Sequence, residues 1–367
     1  MGLAAALDLA RRGASVTVLE QHDIGHDLGS HSGFTRVIRH AYHEGTHYVP
    51  LVQEADAAWV ALEKLAGDKL LVRTGLLEFG PFGESAYHEA LEAVSEHGIE
   101  HELMEGSEAR KRWPIEIPDG WSACFTPSGG YLRVGPCFTA MRAAAEAAGA
   151  VFRTGVAVAG LDLAKRPTVL LGDGSKVDSD KIVVTAGVGL AQLLPELVPE
   201  LACLRRVLVW TTPAPQHVES LAAMPVWCAF TPEGFFYGFP HGNEGITGLK
   251  LALHRSDAVA DLDEPIDPAT IDRSLRDTDL GPLDDFMHLY FPAAQGEIAG
   301  HRVCMYTATP SWDFVVDRHP QSADVVIAGG FSGHGFKFAP TIGRLVGDLL
   351  LSAAAPLPPF ALARHRG

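Results

Sequence analysis

The chain has 367 residues, a formal net charge of −16, 47% hydrophobic and 20% charged residues, long enough for a large core and two domains. The acidic balance argues against nucleic acid, whose phosphates require clustered Lys and Arg, and no apolar run approaches the roughly 20 residues that span a bilayer. No basic leader precedes an apolar region, so a cytoplasmic protein is expected, and five widely spaced cysteines (Cys124, Cys137, Cys203, Cys228, Cys304) favour neither a disulfide framework nor a zinc ribbon.

At the start, small residues run from Gly2 to Ala10, Gly13 stops a helix, and Ser15–Leu19 reads as a short strand ending in Glu20. This is the second half of a dinucleotide-binding βαβ unit, with Glu20 placed to accept hydrogen bonds from a ribose. Gly2 serves as the third glycine of a G-x-G-x-x-G fingerprint. The expectation is therefore that Met1 is internal, with an apolar strand and two more glycines encoded upstream. The alternative is a short amphipathic helix with no cofactor role.

A polar loop from His22 to Gly33 follows, then Thr35-Arg36-Val37-Ile38-Arg39-His40. Arg36 and Arg39 are three apart, so in a helical turn they would share a face. The histidines His22, His26, His31, His40, His43 and His47 fit no compact metal-ligand spacing and read as loop residues. Helices are expected over about Val49–Ala66, Ser85–His97 and Gly135–Ala148, with strands at Leu70–Phe79 and Trp121–Tyr131 flanking the second. Val151–Leu161, Thr168–Leu171 and Lys181–Thr185 read as strands, with a hairpin at Asp173-Gly174 and a small-residue turn at Ala186-Gly187 suited to close cofactor approach.

From Leu201 to Met305 the pattern is mostly strands and turns. Within Gly248–His254, Lys250 and His254 fall on one strand face by period two, although a lysine among leucines ordinarily points to solvent. His301–Thr307 is a short apolar strand carrying Cys304, whose plain reading is an inert buried thiol. Val325–Ile327 then empties into a loop with Gly329, Gly330, Gly333 and Gly335, ending at Lys337. A helix from Thr341 to Ser352 follows, with Ile342, Leu345, Val346, Leu349 and Leu350 in helical spacing. Strand, glycine loop and helix in that order make a cofactor or anion cradle, because free N–H groups at the helix start point outward.

Three blocks in this C-terminal region, "CMYT", "VDRHP" and "GGFSGHGFKFAP", resemble the signature of the monomeric sarcosine oxidase and N-methyltryptophan oxidase family, flavoproteins of the D-amino-acid-oxidase superfamily. The resemblance covers nearly the whole chain. It implies an α/β (α+β) fold with a Rossmann-like FAD-binding domain and an antiparallel-sheet substrate domain. The expected partition is 1-75, 138-200 and 305-367 for FAD, and 76-137 and 201-304 for substrate. The Val-Cys-Met-Tyr-Thr match implies FAD joined covalently through a thioether to Cys304. Arg36, in the "TRVIRH" block, is then placed beside the flavin ring, and Arg39 and Lys337 on the substrate carboxylate. The resemblance also implies Lys250 at the oxygen-reacting side of the flavin, His254 near the substrate, and Tyr237 and Tyr306 lining its cavity. Further cofactor contacts are expected from Gly2, Glu20, Ser30, His31 (near pyrophosphate), Thr35, Val156, Gly187, Gly333 and Gly335.

The chain departs from the family pattern in a longer Tyr237–Lys250 spacing and in Ala186-Gly187-Val188-Gly189, where relatives place a Trp. The activity implied is an FAD-dependent oxidase of secondary amino acids, sarcosine or another N-methyl amino acid, giving an imine that water hydrolyses while O2 becomes H2O2. A monomer acting on a small amine is expected. The alternatives are oxidation of a cyclic imino acid such as L-pipecolate or proline, and a truncated non-catalytic remnant that binds no flavin.

Overall fold

Among the described residues, parallel strand pairing ties distant parts of the sequence together at three places, two of them in the first layer. In the computed structural model, which describes residues 1–197 and 201–365, Thr17–Leu19 pairs in parallel with Val151–Arg153. Ile182–Val184 pairs in parallel with Ser322–Gly329, and Val315–His319 runs antiparallel on the far side of that strand. Parallel neighbours require long crossovers, which is why their partners lie so far apart in sequence. The helix Gly2–Arg11 packs on both Val134–Ala147 and Ala339–Leu351. Its small residues permit this: Ala4, Ala5, Ala6 and Ala10 are buried, and a Cβ placed on Gly343 would stand 2.5 Å from the carbonyl oxygen of Ala4.

The second layer is an eight-stranded sheet. Its order is Gly296–Ala308, Ala202–Pro213, Leu249–Arg255, Gly234–Gly238, Val226–Thr231, Leu76–Pro81, Trp121–Thr126 and Glu102–Glu105. Every neighbour pair is antiparallel except Val226–Thr231 with Leu76–Pro81. Strand alternation sends Trp227, Phe236, Leu251 and Val303 into one core, closed by Phe286 and Met287 of the helix Asp277–Tyr290. The opposite face carries Trp210, Ala252, Cys304 and Tyr306. A three-stranded sheet, Thr35–Ile38 with Gly130–Arg133 and Leu71–Val72, adjoins that second face. The structure is thus a mixed α/β fold of parallel and antiparallel layers.

Four local expectations change. Thr35-Arg36-Val37-Ile38 is a strand, not a helical turn, because its β-branched residues pair with Gly130–Arg133. Arg36 and Arg39 therefore do not share a helical face. The run Leu70–Phe79 breaks into Leu71–Val72 and Leu76–Pro81 around Gly75, whose φ is +74°. Trp121–Tyr131 likewise splits into Trp121–Thr126 and Gly130–Arg133. The helix Asp277–Tyr290 stands in the region read as strands, since Gly281-Pro282 inside it mimics a turn. Its start is fixed instead by Asp279, which accepts from the Arg276 N–H at 2.8 Å.

Replacing Gly343 by Val should force the first and last helices apart and cost about 1–3 kcal/mol, as overpacked interfaces do. Urea unfolding should show a lowered midpoint at unchanged slope. A midpoint equal to that of the wild type would contradict the close backbone contact.

Candidate active site

A cavity of about 70 Å³ opens where the second sheet face meets the glycine loop. It is lined by Ser30, Arg36, Arg39, Tyr237, His254, Cys304, Tyr306, Gly333 and Lys337, among others. Five remote segments converge there because the strands carrying Tyr237, His254 and Tyr306 are close neighbours in the sheet, and the loop after Ser322–Gly329 folds over them.

Lys250 is 1% exposed and does not take the solvent-facing position ordinary for a lysine among leucines. Its strand lies near the middle of the sheet and has no solvent face. The ammonium donates to the backbone oxygen of Thr35 at 2.9 Å and to its hydroxyl at 3.0 Å, and lies 4.3 Å from the centre of the Phe239 ring. No carboxylate pairs with it among the described residues. Burial first, and the charge of Arg36 second, push its pKa well below the ordinary lysine value.

Arg36 donates to the carbonyls of Thr35 at 2.8 Å, Ser30 at 3.1 Å and Ser32 at 2.5 Å, which fixes the polar loop over the sheet. The Cys304 thiol faces the same loop, 3.2 Å from the Ser30 carbonyl and 3.8 Å from the Arg36 guanidinium. Gly33, at φ +92°, sits against this group; a Cβ there would lie 2.6 Å from Leu208 and 3.7 Å from the Lys250 nitrogen.

Arg39 occupies a separate corner. Its Nη2 donates to both oxygens of Glu44, at 2.5 and 2.6 Å, and its Nη1 donates to the Ala41 carbonyl at 3.0 Å. Burial alone would raise the Glu44 pKa; Arg39 overrides it and holds the carboxyl well below its usual range. Lys337 donates to the His334 carbonyl at 2.7 Å and to the Tyr42 hydroxyl at 3.3 Å, and that hydroxyl is 2.8 Å from His334 Nδ1. Burial, then the charge of Arg39, lowers Lys337 to about 7. His254 Nδ1 shares a 2.9 Å hydrogen bond with the Tyr306 hydroxyl, and burial keeps this imidazole neutral at pH 7. Glu44, Tyr42 and His334 escaped the sequence reading. The one available signal was that a buried arginine demands an acid, and Glu44 is the nearest acid after Arg39.

The remaining expected cofactor residues stand at the ends of the parallel strands. Gly2 approaches Thr185 so closely that a Cβ would lie 2.9 Å from its hydroxyl, and Gly187 beyond it has φ +56°. The Glu20 carboxylate accepts the His22 N–H at 2.9 Å, and the Val156 N–H donates to the Glu20 carbonyl at 2.9 Å. His31 is packed edge-on to Phe138, and burial lowers its pKa to about 4. Gly333 (φ +80°) and Gly335 bring the loop backbone against the rings of Tyr306 and Phe331.

The sequence profile of the family described as "FAD dependent oxidoreductase" matches residues 1–349. The chain belongs to that family. It is similar to the monomeric sarcosine oxidase of Bacillus sp. (strain B-0618), 38% identical over 96% of this chain and 90% of that protein. It is also similar to the N-methyl-L-tryptophan oxidase of Yersinia pestis (strain Pestoides F), 30% identical over 100% of this chain and 97% of the relative. Among solved structures, NikD, an amino acid oxidase of nikkomycin biosynthesis, superposes with a TM-score of 0.82 at 23% identity, covering 98% of this chain and 94% of that one. The L-proline dehydrogenase of P. horikoshii gives 0.82 at 21% identity, covering 99% and 94%. These two likenesses establish the fold.

The residues fit FAD on their own chemistry. Ser32 Oγ is buried without a partner, and Lys250, Arg36 and Lys337 form a group of cations with few acids. Such a site suits a ring that carries hydrogen-bonding heteroatoms and takes up negative charge.

A carboxylate probe should report Lys337 directly. Acetate binding, followed by calorimetry, is expected to weaken as pH rises through about 7, because the ammonium carries its charge only below its pKa. His334 and His43, lowered by burial to about 4 and about 3, do not titrate in that window; Glu78, raised by burial to about 8, does, so the comparison is made in a Glu78→Gln background. In Lys337→Met the dependence should vanish; its persistence would assign the titration elsewhere.

Proposed function

We propose that this chain is an FAD-dependent oxidase of secondary amino acids, with sarcosine or another N-methyl amino acid as substrate. The observation that carries the reading is the buried Arg39, whose Nη2 binds both oxygens of a carboxylate in a cavity that Lys337 also lines. Glu44 stands in for the substrate carboxylate there. The names of the two sequence relatives point to the same substrate class.

Bound FAD supplies the two-electron acceptor for the C–N bond, and oxygen takes those electrons on to hydrogen peroxide. The residues do the rest. Arg39 and Lys337 anchor the carboxylate and so fix the carbon to be oxidised. Neutral His254, tied to Tyr306, and the nearby Tyr237 wall the amine in and accept no fixed charge. The imine leaves and is hydrolysed by water. Lys250, held by Thr35 in a dry setting, stabilises the anion formed when oxygen first gains an electron. Ser30, Thr35, Arg36, Gly333 and Gly335 would hold the ring end of FAD, and Gly2, Glu20, Val156, Gly187 and His31 its nucleotide end. Cys304 would carry it covalently. We assign the cofactor to 1-75, 138-200 and 305-367, the substrate wall to 76-137 and 201-304, and the protein to the cytoplasm as a monomer.

The activity itself is tested by peroxide release from sarcosine and N-methyl amino acids. Cys304→Ser should release flavin on acid precipitation while the fold persists; freely extractable flavin in the wild type would rule out the thioether.

Lys250→Met should slow reaction with oxygen roughly a hundredfold or more and spare reaction with substrate, since losing a few kcal/mol of electrostatic stabilisation has that effect. Arg39→Met should do the reverse. Stopped-flow separation of the two halves decides, and equal damage to both in the Lys250 variant would remove its oxygen role.

A further inference from the structure

Glu78 is a charged residue type in the apolar run Leu76-Leu77-Glu78-Phe79, and it belongs to none of the roles assigned above. It is 1% exposed, and both carboxyl oxygens lack a hydrogen-bond partner. Natural interiors rarely leave a carboxyl in that condition, because an orphaned buried polar group costs stability. Its position explains what it adjoins. In the sheet, Cys228 lies opposite both Tyr237 and Glu78, and Glu78 lies opposite Cys124. Directly opposed residues point to one face with side chains in contact range. Tyr237 and Cys228 both line the cavity, so Glu78 stands one strand further along the same row, behind the small Cys228 side chain.

The electrostatics agree with that placement. Burial raises the Glu78 carboxyl to about 8, and Arg39 partly opposes the shift. Glu78 is thus within electrical range of the corner where the substrate carboxylate binds, yet makes no ion pair there among the described residues.

We propose that Glu78 forms a second substrate subsite, taking a side chain that ends in a hydrogen-bond-donating amine, on an amino acid whose carboxylate sits on Arg39. The favoured substrate is then an N-methyl amino acid with a basic side chain. The ammonium supplies the donors that both oxygens of Glu78 lack, and its positive charge favours release of the carboxyl proton to solvent, so that the contact becomes charge-assisted on binding. Cys228, a small side chain, is what stands between the cavity and Glu78, so the amine reaches the carboxyl only if Cys228 shifts aside. This rests on the assignment of Arg39 to a carboxylate.

The test uses ligands that bind both ends and bear no oxidisable secondary amine. Binding of 4-aminobutyrate, 5-aminopentanoate and 6-aminohexanoate to the FAD-loaded protein at pH 7 is compared with that of butyrate, pentanoate and hexanoate by calorimetry. At the length that spans the two groups, the amine should improve binding roughly tenfold or more. In Glu78→Val that advantage should disappear. The Val variant should also melt higher than the wild type, because it removes an unpartnered buried carboxyl; a lower Tm would mean a structural carboxyl and would overturn the subsite. Binding that depends on Arg39 but shows no amine advantage at any length, or an advantage that survives in Glu78→Val, sinks the subsite alone. Binding indifferent to Arg39→Met sinks the parent assignment and the subsite with it.

Discussion

Few placements cost a protein more than an ammonium inside an apolar sheet, and Lys250 is held there by two oxygens of a single threonine. Those bonds run from the middle of the large sheet to the first residue of the strand Thr35–Ile38. They therefore pin the polar loop, and with it Arg36 and Ser30, over the sheet face that carries the Cys304 thiol. Gly33 must be glycine for the loop to come that close. The geometry of the cofactor corner follows from accommodating one charge that has no acid beside it.

A second charge arrangement is complementary to the first. Arg39 and Lys337 both line the cavity, and among the described residues Glu44 is the acid hydrogen-bonded to Arg39. In the proposed reading, a ligand carboxylate takes the place of Glu44 and repeats its two hydrogen bonds at Nη2 of Arg39. Specificity for an amino acid carboxylate then needs no additional device. What distinguishes one amino acid from another is left to the walls, where Tyr237, Cys228 and, behind them, Glu78 stand in one row.

Much of this was legible in residues that carry their meaning locally. Period-two spacing placed Lys250 and His254 on one face, and both are buried beside the cavity. The glycine loop before Lys337 marked a close backbone approach, and φ values of +60° at Gly330 and +80° at Gly333 are the reason glycine is needed there. The misreadings arose where the deciding partner is remote. Arg36 and Arg39 looked like a helical pair because nothing nearby announces that Gly130–Arg133 will pair with their strand. Glu44 stayed invisible because an acid in a loop gains meaning only once Arg39 is known to be buried. Glu78 could have been noticed as an acid in an apolar strand, but its opposition to Cys228 depends on a register that only tertiary structure sets.

The bond from Lys250 to Thr35 joins residues 215 apart in sequence, and the loop bearing Lys337 lies further along still. On a ribosome, the early strand Thr35–Ile38 therefore emerges long before the lysine that its threonine will hold. The chain carries unpaired strand edges for most of its synthesis, and loops of such length form slowly against their entropy. The groups that line the cavity therefore meet only after the C-terminal part of the chain has emerged, which makes biogenesis the vulnerable stage of this architecture.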